Sequence, residues 1–215
     1  MPDAPRQQDV LLFPCNGNAL EALDCLAPAW RCVGFVDDTP AKQERGAHGQ
    51  PVYARNAFAA RSEAQVLAVP GGPRSYLFRK QVIDGLGLPQ GRFATVIHPA
   101  ARVSPLARIG SNVLIMAGVV ITSNAVIGDH VCILPNTVVH HDVTVGRYTL
   151  VGSNVSVAGG TQIGENCYIG SGTRIMNDLR IGDRALTGLG SNVIRSVAAE
   201  SRVAGNPARP LPPKG

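Results

Sequence analysis

Every sixth residue from Ile97 to Ile181 is isoleucine or valine: Ile97, Val103, Ile109, Ile115, Ile121, Ile127, Ile133, Val139, Val145, Val151, Val157, Ile163, Ile169, Ile175 and Ile181. An α-helix mixes apolar spacings of three and four, so a strict period of six excludes it and predicts short strands joined by tight corners. Four residues after most members stands a second small or β-branched residue, as at Val113, Val119, Ala125, Val131, Thr137, Val143, Thr149, Val155, Thr161 and Thr173. Between the two lie corner residues that accept positive φ or bond their own backbone, such as Ser111-Asn112, Ser123-Asn124, Ser153-Asn154, Gly159-Gly160 and Asn177-Asp178. The ninety residues from Ile97 to Leu186 make fifteen repeats and, at three sides to a coil, five turns of a parallel β-helix. Spacing alone does not give the hand, since parallel crossovers are usually right-handed.

The repeat occupies nearly half of 215 residues, which predicts two domains, 1–96 and 97–215. Five scattered cysteines without a CxxC pair suggest neither a disulfide framework nor a zinc knuckle and fit a reducing cytoplasm. No leader pattern opens the chain and no apolar run approaches the roughly 20 residues of a membrane span, so a soluble protein without membrane contact is expected. The net charge of +5 is dispersed and aromatics are 5%. That balance favours phosphorylated small molecules over nucleic acid, for which stacking platforms are lacking.

Residues 1 to 9 read as a frayed start. Val10–Phe13 reads as a buried strand, followed by the turn Pro14-Cys15-Asn16-Gly17-Asn18 and a helix from Ala19 to about Leu26, with Leu20, Leu23 and Leu26 on one face. Strand, turn and helix in that order open a Rossmann-like α/β unit, in which amides at the turn meet phosphate. Only Gly17 stands where a dinucleotide fingerprint has three glycines, so a bound NAD is not expected. Val33–Val36 is a second strand, and Asp37 and Asp38 at its end are candidate acceptors for ribose hydroxyls or the N–H edge of guanine or uracil. Residues 39 to 51 read as loop. A third strand, Gln65–Val69, ends in Pro70-Gly71-Gly72-Pro73, and a helix runs from about Arg74 to Leu86, with Arg74 placed to pair with a phosphate.

His140-His141-Asp142 falls at one corner of the repeat. A neutral imidazole beside a carboxylate is oriented and made more basic by it, which suits proton removal from an attacking amine and makes His141 the candidate general base. One coil is eighteen residues, so Gly159 stacks on His141, and its N–H is a candidate oxyanion donor.

The repeat, with His98-Pro99 at its start and Val203-Ala204-Gly205-Asn206-Pro207-Ala208-Arg209 after it, resembles the left-handed β-helix acyltransferases. Together with the α/β unit and Asp37-Asp38, the whole chain resembles the nucleotide-sugar N-acetyltransferases. The resemblance implies a left-handed prism, a homotrimer, acetyl-CoA as cosubstrate and no metal. It also implies acetylation of the 4-amino group of a nucleotide-linked 4-amino-4,6-dideoxyhexose for lipopolysaccharide O-antigen. GDP-perosamine is the first candidate acceptor, a UDP-linked amino sugar the second, and a sialic acid taking an O-acetyl group the third.

The family's catalytic histidine followed by an acid matches His141 and Asp142, its oxyanion glycine matches Gly159, and the end that meets the cofactor's adenosine phosphates matches Gly188, Gly190, Gly205, Asn206, Pro207 and Arg209. The substrate turn departs, because Pro14-Cys15-Asn16-Gly17-Asn18 stands for Gly-Ala-Gly-Gly-His. A second histidine that some relatives carry nine residues after the first is Leu150 here. Two other classes are weighed against this one. A carbonic-anhydrase-like metal site, on His130, His140 and His141, lacks the HxxxxH pair such prisms need. A non-enzymatic scaffold leaves the His-Asp corner and the α/β unit unexplained.

Overall fold

The computed structural model describes residues 7–212. The frayed start expected over 1–9 lies largely outside them, and Gln8 and Asp9 already belong to the first strand. That strand, β1 (Gln8–Phe13), is followed by α1 (Gly17–Ala22), which a 3-10 turn extends to Cys25. Then come β2 (Trp30–Val36), α2 (Pro40–Arg45), β3 (Val52–Tyr53), α3 (Ala57–Ala60) and β4 (Gln65–Ala68). After a 3-10 turn at Tyr76–Phe78 comes α4 (Arg79–Asp84). The four strands form a parallel sheet in the order β3-β2-β1-β4. The chain reverses direction of travel across the sheet between β1 and β4, so a crevice opens outside their carboxyl ends.

Two expectations fail here. Residues 40–45 are helical, not loop: Pro40 presets φ at the first turn, yet no residue of α2 is buried, so no apolar stripe marks it in the sequence. The helix expected from Arg74 begins only at Tyr76, because Pro70 to Ser75 run as an irregular turn.

Every strand from β5 (Val96–Ile97) to β21 (Asn192–Val193) is two residues long, and each third strand joins the same parallel sheet. Three sheets therefore make three faces of a prism. Partners are eighteen residues apart, as Cys132 with Leu150 and Val138 with Ser156. The inward ladder from Ile115 to Ile181 is buried throughout, as is the second position from Val113 to Thr173. Buried threonine hydroxyls there donate to carbonyls on the next coil, Thr137 to Gly152 at 2.7 Å and Thr149 to Gly164 at 2.9 Å. These bonds remove the penalty of a buried polar group. At the open first coil the ladder is not sealed, and Ile97 is 40% exposed.

The period runs one repeat further than Leu186, to Val193. It then loses two residues, so that Val197 bridges Ile181 and Val203 pairs Thr187. β22 (Arg202–Gly205) and β23 (Ala208–Pro210) form a hairpin on the last coil, which covers that edge of the sheet.

From Asn112 to Gly190 every sixth residue has positive φ. Most are Asn, Asp or Gly, for which the left-handed region costs little. His130, Tyr148 and Arg184 are bulkier, and each is strained by about 1 kcal/mol. All three lie on one edge, where the α/β unit is docked. The His130 ring stacks on Tyr148 at 4.7 Å between centroids and meets Phe93 edge-on. Burial holds the His130 imidazole pKa down to about 4. Asn112 pairs with both backbone groups of Ala68, at 2.8 and 2.9 Å, extending the sheet beyond β4.

The fully buried Arg79 donates from Nε to Tyr148 O (2.9 Å), from Nη2 to His130 O (2.7 Å), and from Nη1 to Pro70 O. On the adjoining face Leu114, Cys132, Leu150 and Tyr168 stand outward in one row and are buried with Ala19, Ala22, Cys25 and Leu26. Leu20 and Leu23, expected on one face with Leu26, pack against the same cluster and are only partly buried.

Candidate active site

Two corners of the prism matter for chemistry. The corner between the second face (β6 and its partners) and the third (β7 and its partners) carries His140–Val143 and, one coil on, Ala158–Thr161. Here His141 Nδ1 lies 2.8 Å from Asp142 Oδ2. A carboxylate accepts, so Nδ1 carries the proton and the Nε2 lone pair is left free. Asp142 Oδ1 accepts from Asn124 Nδ2 at 3.0 Å. The bonds from His141 and Asn124 hold the Asp142 carboxyl below its ordinary pKa.

The imidazole lies against Gly159, where a Cβ would stand 2.5 Å from both Cε1 and Nε2. Gly159 is therefore glycine because of this close approach; the positive φ of the corner belongs to Gly160. The coil pattern leaves the N–H of the second corner residue without a backbone partner. At Ser111, Ser153 and Glu165 the side chains of Asp129, Ser171 and Asp183 take it, while at Gly159, as at Ser123, His141 and Asn177, no described group does. A lone pair and an unspent N–H donor thus meet on one exposed edge, which is what acyl transfer to an amine requires.

Gly188 and Gly190 lie on the corner between the first and second faces, so they border the same second face as Gly159. Gly188 packs on Ala204, whose Cβ would be 2.7 Å from an added Cβ. Gly205, Asn206, Pro207 and Arg209 belong to the terminal hairpin, and a cavity of ≈ 320 Å³ between it and Val193–Ala198 is lined by Arg195 and Arg209.

A second cleft, of ≈ 390 Å³, opens at the carboxyl ends of β1, β2 and β4. Of the expected substrate residues Asp37, Asp38 and Gly71 line it, whereas Cys15, Asn16, Gly17, Asn18, Gly72 and Arg74 do not. Asp37 is already engaged: its oxygens accept from Cys15 N–H (3.0 Å), Thr39 N–H (2.9 Å) and Lys42 Nζ (2.8 Å). Burial would raise its pKa, but Lys42 and the Thr39 N–H outweigh that and hold the carboxyl below the usual range. Asp38 is held by the Arg55 guanidinium at 2.8 Å.

Asn16 caps α1 through Ala19 N–H and also reaches Val69 O, as does Asn18. Gly71 has φ +103 and packs on Arg79, so its glycine is structural. Arg74 is exposed without a described protein partner. Lys42, Arg55 and the 59% exposed Phe78 line the cleft and carry no motif by which the sequence would mark them. No described cavity contains both this cleft and His141, and no described group of three side chains is arranged to hold a metal ion. Leu150, at the position of the relatives' second histidine, is buried beneath α1.

The profile described as Bacterial transferase hexapeptide (six repeats) matches residues 106–141, 124–159 and 142–177. PerB from Caulobacter crescentus, solved with CoA and GDP-perosamine, is 27% identical, with a TM-score of 0.82 over 95% of this chain and 97% of that one. The acetyltransferase domain of PglB from Neisseria gonorrhoeae shares the fold at 24% identity, with a TM-score of 0.83 over 95% of this chain and 100% of that one. WeeI from Acinetobacter baumannii does so at 23% identity, with a TM-score of 0.81 over 96% of this chain and 100% of that one. No curated protein sequence matches the chain. Repeat, prism and neighbours give this chain the fold of an α/β unit followed by a left-handed parallel β-helix. Within that fold the chain is similar to the perosamine N-acetyltransferase of Caulobacter crescentus.

Proposed function

We propose that this protein transfers the acetyl group of acetyl-CoA to the 4-amino group of a nucleotide-linked 4-amino-4,6-dideoxyhexose, with GDP-perosamine as the first candidate. The observation that carries the reading is the His141–Asp142 pair seated on Gly159, whose N–H has no partner among the described residues. PerB, the neighbour solved with CoA and GDP-perosamine, supports the choice of substrates, and two further forms of that enzyme are histidine mutants holding both ligands.

In the reaction the amine nitrogen attacks the thioester carbon and a C–N bond forms. His141 Nε2 takes the amine proton while Asp142 keeps the ring in place, and the Gly159 N–H donates to the carbonyl oxygen as it becomes negative. The C–S bond then breaks, and the imidazolium returns its proton to the departing thiolate. The α/β cleft holds the acceptor, with Lys42 and Arg55, each paired with a carboxylate of the cleft, as the cationic donors nearest the diphosphate. Cleft and His141 lie on different sides of one prism, so the acceptor held by one copy meets His141 of a neighbouring copy, in a homotrimer. Gly188, Gly190 and the terminal hairpin with Arg209 receive the far end of acetyl-CoA.

Thiol release from acetyl-CoA in the presence of GDP-perosamine, a UDP-linked 4-amino sugar, a CMP-sialic acid or buffer tests the assignment. Turnover with one amino sugar fixes both the reaction and the nucleotide. Silence in a protein that still binds CoA discards the acceptor. Gly159→Ala is expected to lower kcat by about 10–100-fold, because its Cβ drives the imidazole from the attacking geometry. The ring is exposed and free to swing away, so the melting temperature should stay close to that of the parent; a variant with parental kcat would show that the seat of the imidazole on Gly159 does not matter to the reaction.

A further inference from the structure

We propose that Asn124 is a positioning residue of the acyl transfer, holding Asp142 so that His141 keeps its Nε2 lone pair turned to the acceptor. This rests on the reading of His141 as the base. The His141–Asp142 pair stands on a solvated edge, with side chains 62% and 55% exposed. An exposed pair of this kind is weak, since water competes for both partners and each side chain loses rotamer freedom in making it. A carboxylate bonded through Oδ2 alone can turn about its χ2 axis and release Nδ1, after which the imidazole can present either nitrogen.

Asn124 closes that freedom. It is the left-handed corner residue one coil before Asp142, with φ 62, and its Nδ2 donates to Oδ1 at 3.0 Å. The carboxylate is then gripped at both oxygens. On the other side of Asp142 the stacked corner residue is Gly160, which has no side chain to offer. An amide also suits the task because it is neutral. A lysine in its place would cancel the negative charge that stabilises the imidazolium, and an aspartate would add to it.

The test uses two variants with opposite chemistry. Asn124→Gly removes the amide and keeps the corner, since glycine already occupies the equivalent left-handed position at 118 and 160. It is expected to lose about tenfold in kcat, with KM for acetyl-CoA and acceptor within about twofold of the parent. Asn124→Asp keeps the shape, replaces donor by acceptor and adds a charge beside Asp142. It should move the acid limb of the kcat/KM profile to higher pH by about half a unit or more, because the base must lose its proton against a larger negative field.

Parental kcat in Asn124→Gly, or an unmoved acid limb in Asn124→Asp, overturns the assignment, whatever the melting temperatures. His141→Asn run in parallel separates the two layers. If it turns over normally, the base itself is misassigned; if it is slow while both Asn124 variants are normal, only the role of Asn124 falls.

Discussion

Alanine in place of His141 should lower kcat by roughly 10²–10⁴ with the fold unchanged, the range a positioned general base contributes. The side chain is exposed and its one bond among the described residues is to Asp142, so nothing in the prism core depends on it. Steady-state thiol release, with circular dichroism as the control for folding, reads the result. KM should move little, since proton removal belongs to the transition state and not to ground-state binding. A loss smaller than tenfold would mean that the amine reaches the thioester already neutral and that His141 is not the limiting base.

The second large effect is on stability. Arg79→Met keeps the stem that packs on Gly71 but leaves the carbonyls of Pro70, His130 and Tyr148 buried without their donors. Each orphaned group costs about 1–3 kcal/mol, and loss of the set is expected to cost about 3–5 kcal/mol in total. For a chain of this size that is roughly 10 °C in melting temperature. Because the three carbonyls belong to a β4-end turn and two prism corners, the loosening should appear first between the α/β unit and the prism. Limited proteolysis would then cut near residues 86–94 faster than in the parent. A variant melting within about 2 °C of the parent would show that the methionine stem alone supports the junction.

The prism was legible because its determinants are local and repeated. Fifteen aliphatic residues at a fixed spacing admit few other folds, and the corners follow from which residues accept positive φ. His141, Asp142 and Gly159 could be brought together for the same reason, since an eighteen-residue coil turns sequence distance into adjacency. The α/β unit was harder to read. Helix α2 buries nothing and so shows no period, and Lys42 on it reaches back to Asp37 and to Cys15 O.

Asp37 read as a free acceptor because Lys42 stands on a helix that shows no period and the Thr39 and Cys15 partners are main-chain N–H groups. Arg79 gave no signal at all: its partners are backbone carbonyls 51 and 69 residues away, and a carbonyl carries no side-chain identity. The rule that emerges is physical. Side-chain periodicity reports contacts between like residues at fixed spacing, and it is silent on a long side chain that finds main chain.

Docking of α1 along the single outward row Leu114, Cys132, Leu150 and Tyr168 gives the prism a phase. An insertion of one hexapeptide between Leu150 and Tyr168 would preserve the aliphatic ladder and every corner, yet it would rotate all later coils by a third of a turn. Tyr168 would leave α1, and the Gly188 corner would be carried to another face. Eighteen residues added at the same place would keep every later residue on its own face and move it one coil along the axis. Selection on this architecture should therefore tolerate length variation in whole coils and reject it in single repeats.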